Sequence, residues 1–197
     1  MDRMQFQGLP ANSTVKLGKL DYSRNNASGV ANYQVSGLTL EVGGKNEDSA
    51  INSPFNWKEM TLVKKGSGTL TLGSNATMYS GSSVTVDAGM LVVNTSAEFS
   101  APITVAAGAT LTGSAVMSSV TFAAGAKIAF DSFPENPEAG ETVDGIVVAS
   151  WSGVKPSIAN PPATSKGKWV VKTKGVAGDR IQFYAEFVSS GLIIIIS

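Results

Sequence analysis

Acidic side chains gather in one stretch of this chain, and carboxylate oxygens are the ligands that calcium prefers. The acidic residues of that stretch are Asp131, Glu135, Glu138, Glu141 and Asp144. Their spacing matches no EF-hand loop, and Pro134, Pro137 and Gly140 interrupt the stretch as in a connecting loop. A solvated acidic linker is therefore the preferred interpretation, and a calcium site is the alternative.

Enzymatic chemistry has few candidate residues here. Glycoside hydrolysis needs two carboxylates about 5–9.5 Å apart, and the repeated central part of the chain offers only Asp87 and Glu98. The chain contains no His and no Cys, which removes catalytic triads, zinc sites and disulfides. We therefore expect a protein that is not an enzyme and that needs no cofactor or metal.

Two further groups of residues suggest ligand binding. The C-terminal part is basic, and an anionic ligand is the alternative to a solvated strand surface for Lys166, Lys168, Lys172, Lys174 and Arg180. Aromatic rings stack on sugars, so Trp151, Trp169 and Tyr79, together with Trp57, form a speculative glycan contact. Burial in the core is the other interpretation of these rings, because aromatic side chains carry a large apolar area.

Composition narrows the class of protein. The 197 residues include 15 basic and 15 acidic ones, so bulk charge does not favour binding to nucleic acid. No stretch approaches the roughly 20 apolar residues of a membrane helix. The first residues lack the apolar run of a signal peptide, so we expect an exported protein to be represented here by a trimmed fragment.

The elements that carry these residues belong to a repeat. Three segments share the pattern of alternating apolar residues followed by Ala-Gly: 84–89, 103–108 and 120–125. A second apolar column, Leu70, Leu91, Leu111 and Ile128, advances by similar steps. Repetition of this kind indicates stacked units that bury their apolar faces against each other, and the alternation indicates strands. We predict a parallel β-solenoid, with an antiparallel sandwich as the alternative.

Glycine ends each strand of the repeat. Because glycine adopts positive φ at little steric cost, it lets the chain turn a corner between two strands. The predicted structural corner glycines are Gly66, Gly68, Gly89, Gly108 and Gly125. No ligand chemistry is assigned to them.

The chain divides into three parts of one continuous domain. Residues 1–60 hold entry strands and first coils, with a strand at 33–35 and a loop at 46–52. Residues 61–130 are the regular β-solenoid repeats, and we expect the repeat pattern to end at Phe130. Residues 131–197 hold the acidic loop and capping strands, ending in the apolar segment 192–196. Terminal capping is expected because an open solenoid end exposes unpaired strand edges.

The segment 62–94 resembles a known repeat. Lys64-Lys65-Gly66-Ser67-Gly68-Thr69-Leu70-Thr71-Leu72, Tyr79-Ser80-Gly81 and Val86-Asp87-Ala88-Gly89-Met90-Leu91 follow each other as in the autotransporter-associated β-strand repeat, also called the passenger-associated transport repeat, of bacterial secreted proteins. The resemblance implies an all-β, right-handed, single-stranded parallel β-helix with an irregular C-terminal β cap. It also implies secretion and cell-surface display, and it implies no catalytic residues.

These observations predict a non-enzymatic structural module of a secreted or cell-surface bacterial protein, acting as a rigid passenger or spacer. The alternative is a glycan-binding adhesin module on the same scaffold. Its partner would be a surface glycan or a host or matrix protein.

Overall fold

A computed structural model of the chain describes residues 8–23, 37–54, 59–78 and 81–190, and these residues form an all-β structure. The strands are β1 (Thr14–Leu17), β2 (Asp21–Ser23), β3 (Thr39–Val42), β4 (Ser49–Asn52), β5 (Thr61–Lys64), β6 (Thr69–Leu72), β7 (Ser83–Val86), β8 (Met90–Val93), β9 (Ile103–Val105), β10 (Thr110–Thr112), β11 (Val116–Phe122), β12 (Lys127–Ile128), β13 (Thr142–Gly153), β14 (Ser157–Ile158), β15 (Gly167–Val176) and β16 (Arg180–Ser189).

The first fourteen strands form two parallel sheets. The odd-numbered strands β1 to β13 lie in sequence order in one sheet, here sheet A, and the even-numbered strands β2 to β14 lie in order in sheet B. Each turn of the chain therefore adds one strand to each sheet, and seven such coils are stacked. We number them coil 1 (β1 and β2) to coil 7 (β13 and β14). At about 4.8 Å per coil they span roughly 30 Å. The predicted parallel β-solenoid is confirmed.

The core lies between the two sheets and consists of stacked columns. In sheet A, Val84 pairs with Ile103 and Ile103 pairs with Val120, all in parallel register. These side chains are buried, as are Leu91 and Leu111, which are paired in sheet B. Alternate residues of each strand point inward, so every coil adds apolar area to the same columns. Each buried Val or Leu contributes about 1.5–3 kcal/mol relative to an exposed one.

The last two long strands, β15 and β16, complete sheet A as an antiparallel hairpin. β16 pairs antiparallel with β13, and β15 pairs antiparallel with β16 along its whole length. Phe183 of β16 is buried against Phe122 and Trp151, with ring centroids 5.6 and 5.3 Å apart. This hairpin supplies the expected C-terminal β cap.

The structure differs from the sequence-based expectations at two places. The expected loop at 46–52 contains strand β4, because Ser49 and Ile51 face the core although the segment is mostly polar. The coil pattern also continues past Phe130, since β13 and β14 extend both sheets after the loop that precedes Thr142. The predicted strand at 33–35 and the apolar segment 192–196 lie outside the described residues.

Candidate functional site

The most distinctive part of the fold is the row of corners between the strands of sheet A and those of sheet B. Gly43, Gly66 and Gly89 occupy these corners in coils 2, 3 and 4, at φ values of +95°, +67° and +68°. Their backbones approach so closely that a side chain has no room. A Cβ on Gly89 would lie 2.5 Å from the Gly66 carbonyl oxygen, and a Cβ on Gly66 would lie 2.8 Å from Oδ1 of Asn46. We call these three glycines the close-packed corner.

The other predicted corner glycines have different surroundings. Gly108 and Gly125 have φ values of +78° and +83°, but a Cβ on Gly108 would meet no atom within 4 Å, and one on Gly125 would meet only Ala107 at 3.8 Å or beyond. Gly68 does not have positive φ, yet a Cβ there would lie 2.5 Å from the Glu47 carbonyl oxygen. Positive φ and close approach are therefore separate demands, and of the five predicted corner glycines only Gly66 and Gly89 meet both.

A lysine lies inside the close-packed corner. Lys64 ends β5 and faces the core in register between Val42 and Val86, and it is fully buried. Its ammonium group donates hydrogen bonds to the carbonyl oxygens of Lys65 at 2.6 Å, Gly66 at 2.8 Å and Ala88 at 3.2 Å. Burial lowers the pKa of this ammonium group. The sequence analysis assigned no role to Lys64.

Side chains beside the corners and at the ends of sheet B strands also join successive coils. Oδ1 of Asn46 accepts a hydrogen bond from the backbone N–H of Ser67 at 2.9 Å. In sheet B, Oδ1 of Asn94 accepts bonds from the backbone N–H of Ser114 at 3.0 Å and from its hydroxyl at 3.2 Å. These contacts satisfy backbone donors that the sheets leave unpaired.

The rings of the speculative glycan contact are packed into the cap. Trp169 is only 6% exposed and lies against Phe133 and Phe187, with centroids 4.8 and 5.3 Å away. Its indole N–H is buried without a hydrogen-bond partner among the described residues. Trp151 is half-buried, and Tyr79 lies outside the described residues, as does Trp57. No open platform of these rings exists in the described part of the chain.

The candidate catalytic and calcium-binding carboxylates are dispersed. Asp87 forms an ion pair with Lys65, and Glu98 forms one with Arg180 at 2.8 Å, so the two acidic residues of the repeat have separate basic partners. In the acidic stretch, Asp144 pairs with Lys174. The described ranges contain no cluster of three or more side chains suited to hold a metal ion.

The basic residues of the C-terminal part lie mostly on the exposed surface of the cap. Lys172 pairs with Glu186 at 2.6 Å, and the ammonium group of Lys174 also lies 5.1 Å from the ring centroid of Tyr184. Lys166 and Lys168 are exposed. An anionic ligand on this surface stays a prediction.

Regarding membranes, the described segments include no helix with the length and apolarity required to span a bilayer.

No curated protein matches the chain. A family model does match, and the matched residues run from the second residue of β5 to the end of β8, so they include Lys64 and the glycines at positions 66, 68 and 89. The resemblance inferred from the sequence motif is confirmed: residues 62–93 match the model of the passenger-associated transport repeat.

Proposed function

We propose that this chain is a non-enzymatic structural module of an exported bacterial surface protein, in which the stacked coils act as a rigid spacer or passenger segment. The observation that carries the proposal is the position of the passenger-associated transport repeat. Its residues 62–93 supply coils 3 and 4 of a continuous stack. A repeat of this family suggests a passenger region.

The arrangement of side chains supports a mechanical role. Inward positions of the coils are occupied by stacked aliphatic residues, and outward positions carry small polar residues such as Thr85, Thr104 and Thr121, which are paired in register. The hydrogen bonds of the Lys64 and Asn94 side chains join neighbouring coils of the same chain. A scaffold of this kind resists bending because each inner coil is hydrogen bonded to both neighbouring coils along two sheets.

The export part of the proposal is tested in the native host with the full-length protein. An epitope inserted after Asn136 lies in an exposed loop outside both sheets, so the insertion leaves the coils intact. Antibody labelling of intact cells is expected to equal labelling of permeabilised cells. Labelling that requires permeabilisation would contradict surface display.

A glycan-binding adhesin module is the alternative, and Trp151 is the candidate ring that retains partial exposure. A glycan array with the purified chain separates the two functions. Reproducible binding that is lost in Trp151→Ala, but kept when the exposed Val154 is changed to Ala, would favour the adhesin. Absence of binding would favour the spacer.

A further inference from the structure

Lys64 occupies a position that its neighbours fill with aliphatic side chains. The same inward column contains Val42, Val86 and Val105 in coils 2, 4 and 5. An aliphatic residue at position 64 would therefore fit the column without desolvating a charge. Burying an ammonium group costs several kcal/mol before its new contacts are counted, so a gain in stability does not explain the lysine.

The contacts of Lys64 are specific in position. An ammonium group has three donors, and all three are used, on Lys65 and Gly66 of its own coil and on Ala88 of the next. Within the described residues no carboxylate forms an ion pair with it, and the Asp48 carboxylate acts on its charge only from beyond ion-pair distance. Glycine at position 89 leaves room for the Lys64 ammonium group, because a Cβ on Gly89 would lie 2.8 Å from the Lys64 nitrogen.

The aliphatic columns leave one ambiguity in the stacking of β7 on β5. Side chains of a strand alternate with period two, so a slip of one residue turns the apolar face outward and is excluded. A slip of two residues keeps every apolar side chain inside. It moves the Ala88 carbonyl by about 6.6 Å along the strand, out of reach of Lys64, and leaves a buried ammonium donor unpaired.

We propose that Lys64 is a register pin: its ammonium group fixes the alignment of coil 4 on coil 3 by disfavouring the two-residue slip that hydrophobic packing permits. Buried polar groups select one register in coiled coils by the same penalty. The proposal concerns folding alone and does not depend on whether the protein is exported.

Engineered cysteines can report the register, because the chain has no cysteine of its own. Thr61 and Ser83 are paired in register on the outer face of sheet A, with hydroxyl oxygens 3.4 Å apart. The double variant Thr61→Cys with Ser83→Cys therefore reports the native register through disulfide formation on refolding. Thr61→Cys with Thr85→Cys reports the two-residue slip, since Thr85 also faces outward.

Both cysteine pairs are compared in the native background and with Lys64→Met. We expect the slipped disulfide to be negligible with Lys64 present and to rise by about tenfold or more in Lys64→Met, the factor that corresponds to one hydrogen bond to a charged group. Lys65→Met is the matched control. It removes a neighbouring lysine whose exposed ion pair links the same two coils, and it should raise the slipped yield far less than Lys64→Met does.

Lys64→Gln provides a second variant, because its amide can still donate to two carbonyl groups, and it should give an intermediate yield of the slipped disulfide. Equal yields of slipped disulfide in all backgrounds would overturn the proposal. Loss of folding in both Lys64 variants would overturn it as well, because the ammonium group would then hold the fold together and would not select among registers.

Discussion

Replacing Gly89 by alanine tests whether close backbone approach, in addition to positive φ, dictates glycine at the corners. Alanine at φ +68° costs about 1–2 kcal/mol. The new Cβ would also lie 2.5 Å from the Gly66 carbonyl oxygen and 2.8 Å from the Lys64 nitrogen, so the corner must open. Overpacking of this kind costs a further ~1–3 kcal/mol. We expect the free energy of unfolding to fall by about 2–5 kcal/mol.

Three other glycines serve as controls, because each of them lacks positive φ, close backbone approach or both. Gly108→Ala meets only the φ penalty and should cost about 1–2 kcal/mol. Gly68→Ala meets only the contact with the Glu47 carbonyl and should cost ~1–3 kcal/mol. Gly44→Ala, in open space without positive φ, should be neutral or stabilising by up to ~1 kcal/mol.

Urea unfolding followed by circular dichroism measures all four free energies on one scale. The decisive comparison is Gly89→Ala against Gly108→Ala, since both residues have positive φ and occupy equivalent corners of adjacent coils. Equal decreases in the free energy of unfolding at the two positions would refute the reasoning. They would show that the Gly66 carbonyl and the Lys64 ammonium group move away from the new Cβ at no cost in free energy.

Three further predictions concern the contacts between coils and cap. Phe183→Ala should destabilise the protein by about 3–5 kcal/mol, because a buried ring between Phe122 and Trp151 is lost. Thermal unfolding measures this loss, and Val154→Ala, at an exposed valine, should leave the melting temperature unchanged. Asn94→Ala should cost about 0.5–1.5 kcal/mol through the lost bonds to Ser114, whereas Asn75→Ala should cost less, since the exposed Asn75 contributes only its backbone N–H, to Asn52. The hydrogen bond from Lys65 to Asp87 raises the pKa of Lys65 above its usual 10.5. The stabilisation from this pair should therefore be complete below pH 10.5 and disappear as the pH rises through the raised pKa, so urea unfolding of the native chain and Lys65→Met should converge at high pH.

The central coils were predictable because their sequence repeats on both sheets. Alternation placed Val84 and Ile103 inside, and the recurring glycines marked the corners. The same alternation contains the signal for Lys64, which stands two residues after the inward-facing Leu62 and therefore shares its face. The alternation of side chains along the strand was sufficient to predict that this lysine faces the core, although a charged residue is usually found on the surface.

Other features depend on neighbours that the local sequence does not reveal. Strand β4 has a polar sequence, and Ser49 is tolerated inside because its hydroxyl accepts a hydrogen bond from the backbone N–H of Leu20 at 3.0 Å. Coil 7 was obscured because 30 residues separate the paired Ile128 and Ile158, whereas only 17 separate the paired Leu111 and Ile128 of the two preceding coils. Whether a glycine is crowded depends on the carbonyl positions of the adjacent coil, which residue types alone do not give.

The antiparallel attachment of β16 to β13 has a consequence for how such a molecule can lengthen in evolution. A duplicated coil must pair its strand in parallel with the strand of the neighbouring coil. Strand β16 runs in the opposite direction, so it cannot pair with a further coil in this way. Gene duplications that extend the stack can therefore be accommodated only upstream of β13, while the terminal hairpin must be inherited as a single unit at the downstream end. Homologous chains should accordingly vary in coil number ahead of this hairpin and keep one copy of it.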